Sequence, residues 1–225
     1  MNDTAANPNS TTPLMLPPVL CGSVEHYIAV RRATVPTAID WGRRFDKRFK
    51  DTHRFTIADT RGTLDLTVPI AKPESSRDAT WGDIRLSTHG NWWDVHRIAL
   101  ESSYGRTPYF DFYIDDLLPL LTPGVEDRYP LLRDLSDAWD SWIRRTLLLP
   151  APLSQPDGSL SSADFTPPST PLTPYWQVRQ DKLGFIPNLS IVDLIFNLGP
   201  EAVIYLDNAV ATTASTSAPT NKIIV

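Results

Sequence analysis

The run from Trp92 to Asp116 constrains the fold of this chain more than any other stretch. Two tryptophans, one histidine, five carboxylates, two arginines and five Tyr or Phe residues fall within its twenty-five positions. Asn91 is placed to cap a helix, with Asp94 three residues later, and Gly105 stands where that helix would end. Thr107 then predicts the cap of a second helix with Pro108 at its first position, ended by Pro119 and Pro123-Gly124. On the first helix Trp92, His96 and Leu100 share one face, and Trp93, Arg97, Glu101 and Tyr104 line an adjoining stripe. Apolar stripes of this kind need a sheet, or each other, to cover them. Two readings follow. The run is a core whose polar tips are satisfied by neighbours, or it is a surface that grips planar or sugar-like ligands. In the second case one imidazole among carboxylates can move protons near neutral pH.

The chain on either side narrows the architecture. Leu14–Gly22 reads as a short buried strand weakened by Pro17 and Pro18. Residues 24–33 read as a helix and Val35–Ile39 as a second strand, a β-α-β order that predicts a parallel pair. Arg54–Ala58 and Thr63–Ile70 flank Asp59-Thr-Arg-Gly62 and predict a β-hairpin, with Ile84–Ser87 as a further strand. From Pro130 to Leu147, the 3–4 spacing of Leu132, Leu135, Trp139 and Trp142, with Ile143 beside them, predicts one apolar helix face. Seven prolines between Pro150 and Pro174 predict a long surface excursion. Ser190 with Asp193 resembles a capping box, and Gly199-Pro200 stops that short helix. The fold expected is α/β, a single domain. Its mixed, partly parallel sheet comes from the N-terminal half and packs against helices from the C-terminal half. Residues 1–13 are expected as a mobile arm, 14–208 as the domain with 150–174 as its excursion, and 209–225 as a mobile tail.

Composition excludes several classes. An apolar fraction of 41% with seven tryptophans supports a sizeable core. A net charge of −5 argues against non-specific contact with nucleic acid. Cys21 is the single cysteine, which leaves neither an internal disulfide nor a thiol metal cage. His26, His53, His89 and His96 show no metal spacing, so no metal and no cofactor is expected. The first residues are polar, without Lys, Arg or an apolar run, and predict neither a signal peptide nor a membrane anchor. No apolar run is long enough to span a bilayer. A cytoplasmic globule without membrane or nucleic-acid partners is expected, and the sequence implies no particular oligomeric state.

Three constellations carry candidate chemistry. Arg43, Arg44, Lys47, Arg48, Lys50 and Arg54 hold six of the twenty-one cations in twelve positions. They form either an anion site, with arginine forks and lysine point charges on phosphate, or a solvated loop partly neutralised by Asp46 and Asp51. His96, one turn from Trp92, is either a general base or a structural histidine on a buried carbonyl. Exposure in a concavity near Lys47 or Arg48 predicts the first; full burial on a main-chain carbonyl predicts the second. Gly184 to Asp193 opens a helix whose free N–H groups suit a small anion, or whose Ser190 and Asp193 only cap it.

The order of several motifs resembles the WbqC-like family. The matching pieces are Leu64-Asp-Leu-Thr-Val-Pro-Ile70, Trp92 and Trp93 followed by His96, and Ser102-Ser-Tyr-Gly-Arg-Thr-Pro-Tyr-Phe110 with Tyr113. Tyr175–Gln177, Gly184–Asp193 and Asn197-Leu-Gly-Pro-Glu201 complete them, so the resemblance runs from about Leu16 to Leu206. It implies a place among bacterial surface-polysaccharide (O-antigen-like) genes and a transferase acting on a nucleotide-linked sugar or related phosphorylated precursor. Within that reading Arg44, Lys47, Arg48 and Arg54 hold phosphates, and Trp92, Trp93 and Tyr109 stack on a base or sugar. Tyr104, Arg106, Asn188 and Ser190 complete the substrate-binding set. His96 deprotonates the acceptor, oriented by Asp94 or Glu101. The alternative is a non-catalytic protein that binds a glycan precursor or scaffolds its synthesis.

Overall fold

Two short strands, β1 (Leu14–Leu16) and β2 (Thr37–Ile39), pair in parallel with Leu14 opposite Thr37 and Leu16 opposite Ile39. Helix α1 (Val24–Arg32) connects them, so the β-α-β unit forms. β1 stops short of the expected Gly22 because Pro17 and Pro18 offer no N–H to a ladder. α1 begins where Ser23 Oγ accepts the His26 N–H, with Glu25 in its first turn and Arg31 and Arg32 in its last. This computed structural model describes residues 12–75, 77–154 and 171–216. Most of the expected arm (1–11) and the middle of the expected excursion (155–170) lie outside the described residues, as do 217–225.

Strands β3 (Arg54–Asp59) and β4 (Gly62–Thr67) form the predicted hairpin, with Arg54 opposite Thr67 and Asp59 opposite Gly62. Gly62 takes φ +131° at the turn, a region where a Cβ is strained. The parallel and antiparallel pairs remain separate two-stranded sheets instead of joining into one mixed sheet. The expected strand at Ile84–Ser87 supplies only isolated bridges, Ile70 to Leu86 and Arg85 to Leu131. The α/β class holds, with helices covering both small sheets.

The helical part comprises α2 (Trp92–Tyr104), α3 (Phe110–Leu117), α4 (Val125–Arg128), α5 (Leu132–Thr146), α6 (Gln180–Leu183), α7 (Ile191–Leu198) and α8 (Glu201–Thr216). Some expected caps are differently used. Asn91 occupies the N-cap of α2 without a side-chain bond. Thr107 Oγ1 donates back to the Tyr104 carbonyl at 2.7 Å, so it closes α2 and α3 starts later, at Phe110. The Ser190 side chain does not cap α7. α8 continues to Thr216, so 209–216 is helix where a tail was expected.

The predicted apolar face of α5 is buried at Leu132, Leu135, Trp139, Trp142 and Ile143. Its other attachment is ionic. Tyr27 Oη donates to Asp140 Oδ1 at 2.8 Å, Arg144 Nε donates to Asp140 Oδ2 at 2.6 Å, and Arg144 Nη1 reaches Thr37 Oγ1 and the Pro150 carbonyl. This network ties α5 to the β1-α1-β2 unit. α7 is buried from Ile191 through Asn197, as expected of a helix enclosed on all sides. One core cluster takes residues from Leu16 through Leu206, in keeping with a single domain.

Candidate functional site

The basic stretch folds around the start of β3. A 3₁₀ turn at Lys50–Thr52 precedes His53 and Arg54, and the hairpin brings Val68 back against them. His53 is held twice by Val68: its carbonyl accepts the Val68 N–H at 2.8 Å, and its Nδ1 lies 3.0 Å from the Val68 carbonyl. A carbonyl only accepts, so Nδ1 carries the proton and Nε2 of the neutral ring is left as an acceptor. Arg54 is fixed by Nε donating to Thr67 Oγ1 at 2.9 Å and Nη1 to Asp65 at 2.7 Å.

Lys47, Lys50, His53, Arg54 and Lys72 converge on a cleft of about 320 Å³. Phe45, Ile70, Pro73 and Trp81 form its apolar walls. The rings behind it are packed in series, Phe45 on Trp81 at 4.7 Å and His53 stacked over Trp81 at 6.1 Å. Lys47, Lys50 and Lys72 are exposed, and among the described residues no carboxylate pairs with them. Burial, opposed by the bond to Val68, pushes the His53 imidazole below its usual range, with Arg54 and Lys50 pushing the same way. At neutral pH it is therefore an uncharged base beside four cations. Such a cleft can hold an anion and accept a proton.

Arg54 also borders a smaller cavity of about 210 Å³, between the segment Pro17–Ser23 and Asn188–Ser190. Its reactive-looking groups are quenched. Burial drives the Cys21 thiol up to about 12 and the His26 imidazole down to about 4. Cys21 Sγ donates to Ser190 Oγ at 3.7 Å. Asn188 Oδ1 accepts the Glu25 N–H and its Nδ2 donates to Glu25, so its side chain serves the start of α1.

The remaining expected site residues are dispersed. Arg44 and Arg48 lie with Lys47 on an open basic groove, where Arg48 is held by Asp46 at 2.6 Å. Its hydrogen bonds hold the Asp46 carboxyl down to about 2. His96 is not a base within reach of substrate: it is 2% exposed, its Nε2 lies 3.2 Å from the Thr67 carbonyl, and burial pushes it down to about 4. Asp94 and Glu101 do not orient it; both face Arg97, at 2.6 and 3.6 Å. Trp92 is buried with Nε1 donating to Glu126 at 2.9 Å, and Tyr104 is buried with its hydroxyl accepting the Ala58 N–H at 3.1 Å. Trp93 and Tyr109 pack against the core, and Arg106 is exposed at the corner after α2. Within the run 92–116 the core reading therefore holds for Trp92, Tyr104, Phe110 and Tyr113 and fails for Phe112, which is exposed, and none of the run's aromatic residues lines the cationic cleft.

Asp193 was expected at a helix cap and instead lies inside the core. It accepts from Tyr175 at 2.6 Å and from Gln177 at 2.9 Å, and burial raises its carboxyl above the usual range. The cleft residues that the sequence does not single out as candidates are His53, Lys72 and Trp81. The signal for His53 is its position within the basic run itself. Lys72 and Trp81 are brought in by the return of the hairpin, which no local pattern announces.

Among the described residues no helix is long and apolar enough to cross a membrane, and no cluster of three His, Cys, Asp or Glu side chains is arranged to hold a metal ion. Residues 46–154 match the model of the WbqC-like protein family. The match is narrower than the Leu16–Leu206 range of the motif resemblance. It takes in every charged residue of the cleft and leaves out Asn188 and Ser190. No curated protein and no solved structure matches the chain.

Proposed function

We propose that this WbqC-like chain is a cytoplasmic transferase of surface-polysaccharide (O-antigen-like) biosynthesis. In this reading it takes a nucleotide-linked sugar or related phosphorylated precursor in the cleft of Lys47, Lys50, Arg54 and Lys72. The observation that carries the proposal is that cleft: four cations without a lining carboxylate, around one uncharged imidazole. Lysines and an arginine so arranged bind phosphate oxygens and stabilise the charge that a phosphate leaving group develops. His53 takes the proton from the acceptor hydroxyl or amine on Nε2. The acceptor heteroatom bonds to the transferred group, and the bond from that group to the phosphate oxygen breaks. The phosphate departs on the leaving group alone, its new negative charge balanced by the cations, and the proton on His53 passes to it or to solvent.

A panel of nucleotide sugars, acyl-CoAs and free nucleotides tests the binding half by thermal shift. A ligand at about a hundred times its dissociation constant stabilises the fold by about 2.7 kcal/mol, a rise of several degrees. That rise is expected for one phosphorylated class and is expected to vanish in the Lys47→Glu, Lys72→Glu variant. No shift from any phosphorylated ligand sinks the proposal. With a substrate in hand, His53→Asn is expected to slow turnover about 10²- to 10⁴-fold while keeping the shift. The second reading is a non-catalytic protein that binds or scaffolds a glycan precursor. The burial of His96 favours it, because that removes the base expected on α2. Unchanged ligand shifts without turnover of any nucleotide sugar would select it.

A further inference from the structure

Charge is divided unevenly over this chain. Residues 43–54 hold six cations against two carboxylates, and the rest of the chain holds fifteen against twenty-four. A molecule so polarised turns its positive face toward an anionic surface. That face is broad. The open groove of Arg43–Phe49, about 670 Å³, shares Phe45 and Lys47 with the cleft, so the two form one continuous surface. Arg44, Lys47, Arg48, Lys50 and Lys72 are exposed on it, and the carboxylate that lines the groove, Asp46, pairs with Arg48. Phe49 decides which anionic surface fits. Its ring is 41% exposed among these cations. The Phe49 N–H donates to the Asp46 carbonyl and the Lys50 N–H to the Arg48 carbonyl, both at 3.0 Å, so a tight turn fixes the backbone that carries the ring. One exposed ring is ordinary on any protein surface; one ringed by Arg and Lys is the pattern of a bilayer interface, with the ring at the acyl boundary and the charges over the headgroups. The Arg43 guanidinium lies 3.9 Å from the ring centroid and covers one face, which a stacking nucleic-acid base would need.

We infer that this face docks peripherally on an anionic lipid bilayer, with Phe49 entering the interface and Arg44, Lys47, Arg48, Lys50 and Lys72 over the headgroups. Adsorption of this kind needs no membrane-crossing helix, and it does not depend on the transferase reading. Docked in this way, the chain brings the mouth of its cleft, at Lys47 and Lys50, to the membrane surface.

Sedimentation of the full chain with vesicles of phosphatidylcholine, with and without phosphatidylglycerol at about a third of the lipid, tests it. The anionic vesicles are expected to bind at least about tenfold more tightly than the neutral ones, because each Lys or Arg at an anionic surface strengthens adsorption about fivefold. Raising salt from about 0.1 M to about 1 M, which shortens the screening length from about 10 Å to about 3 Å, is expected to release the chain. Arg44→Gln with Arg48→Gln, two exposed positions outside the cleft, is expected to weaken vesicle binding about tenfold or more. Phe49→Ser is expected to weaken it severalfold with the salt dependence unchanged. Equal binding to both vesicle types, or to neither, overturns the proposal. Native binding in both variants moves the contact off this face and overturns it too. A single-stranded oligonucleotide that binds as tightly as the anionic vesicles, with no loss in Phe49→Ser, reassigns the face to a soluble polyanion. Release by inorganic phosphate at matched ionic strength places a headgroup in the cleft, which overturns surface docking and leaves phosphate binding standing; retention in excess phosphate supports docking.

Discussion

At the scale of single residues, two histidines exchange the roles their neighbours suggest. His96 lies between aromatics and carboxylates in the sequence, yet folds inward onto the Thr67 carbonyl. His53 lies among cations and keeps an open nitrogen at a cleft. The inward placement predicts a pH dependence. His26 and His96 are both held near 4 by burial, against 6.5 unperturbed. As pH falls through about 6.5 the unfolded chain takes up protons that the folded chain refuses, so stability is present at neutral pH and is lost toward pH 4. Each imidazole contributes on the order of 2 kcal/mol to that loss. Guanidinium unfolding at pH 7 and pH 4.5 measures it, and the difference is expected to shrink in His96→Asn. A second prediction concerns Gly199, which takes φ +55° with the Tyr109 ring 2.5 Å from where a Cβ would sit. Gly62 has φ +131° but open space around it. Thermal unfolding is expected to show Gly199→Ala losing about 2 kcal/mol or more, and Gly62→Ala about half of that. Equal losses would mean the Tyr109 ring yields.

At the scale of elements, α5 and α7 differ in how much of them a pattern reveals. The buried face of α5 is legible from spacing alone, because a 3.6-residue period maps directly onto one side of a cylinder. Its ionic anchor is not, since Tyr27, Thr37 and Pro150 come from distant parts of the chain. Asp140 and Arg144 are both nearly inaccessible, so removing one leaves the other charged and unpaired. Arg144→Met is expected to cost about 3–5 kcal/mol in chemical denaturation, with Asp140→Asn in the same chain recovering part of it. Failure of the double variant to recover would place the loss in packing. In α7 the Ser190/Asp193 spacing suggests a cap, but Asp193 turns inward to Tyr175 and Gln177. Serine and aspartate at i and i+3 fit either arrangement. The choice rests on whether buried donors are waiting, and they come from a separate segment. The corner after α2 shows the same limit, since Thr107 has a free choice between the carbonyl behind it and the amides ahead.

At the scale of the whole molecule, a single core joins the β-α-β unit, the hairpin and the helices. One consequence is cooperative unfolding: far-ultraviolet circular dichroism and tryptophan fluorescence are expected to give coincident guanidinium transitions. Separated midpoints would show the two halves melting independently. By itself the sequence determined the local elements: α1, the hairpin turn at Gly62, the apolar face of α5, the stop at Gly199-Pro200. Each follows from steric limits or periodicity within a few residues. It also determined that cations concentrate at 43–54. The tertiary structure decided which of them share a cleft, that Lys72 and Trp81 join them, and that the aromatics of α2 do not. It decided too that the parallel and antiparallel strands stay in separate sheets. The physical reason is that burial and electrostatic setting are sums over neighbours distant in the chain. The carbonyl that takes His96 out of reach belongs to Thr67, twenty-nine residues earlier, at the end of a hairpin that folds under α2.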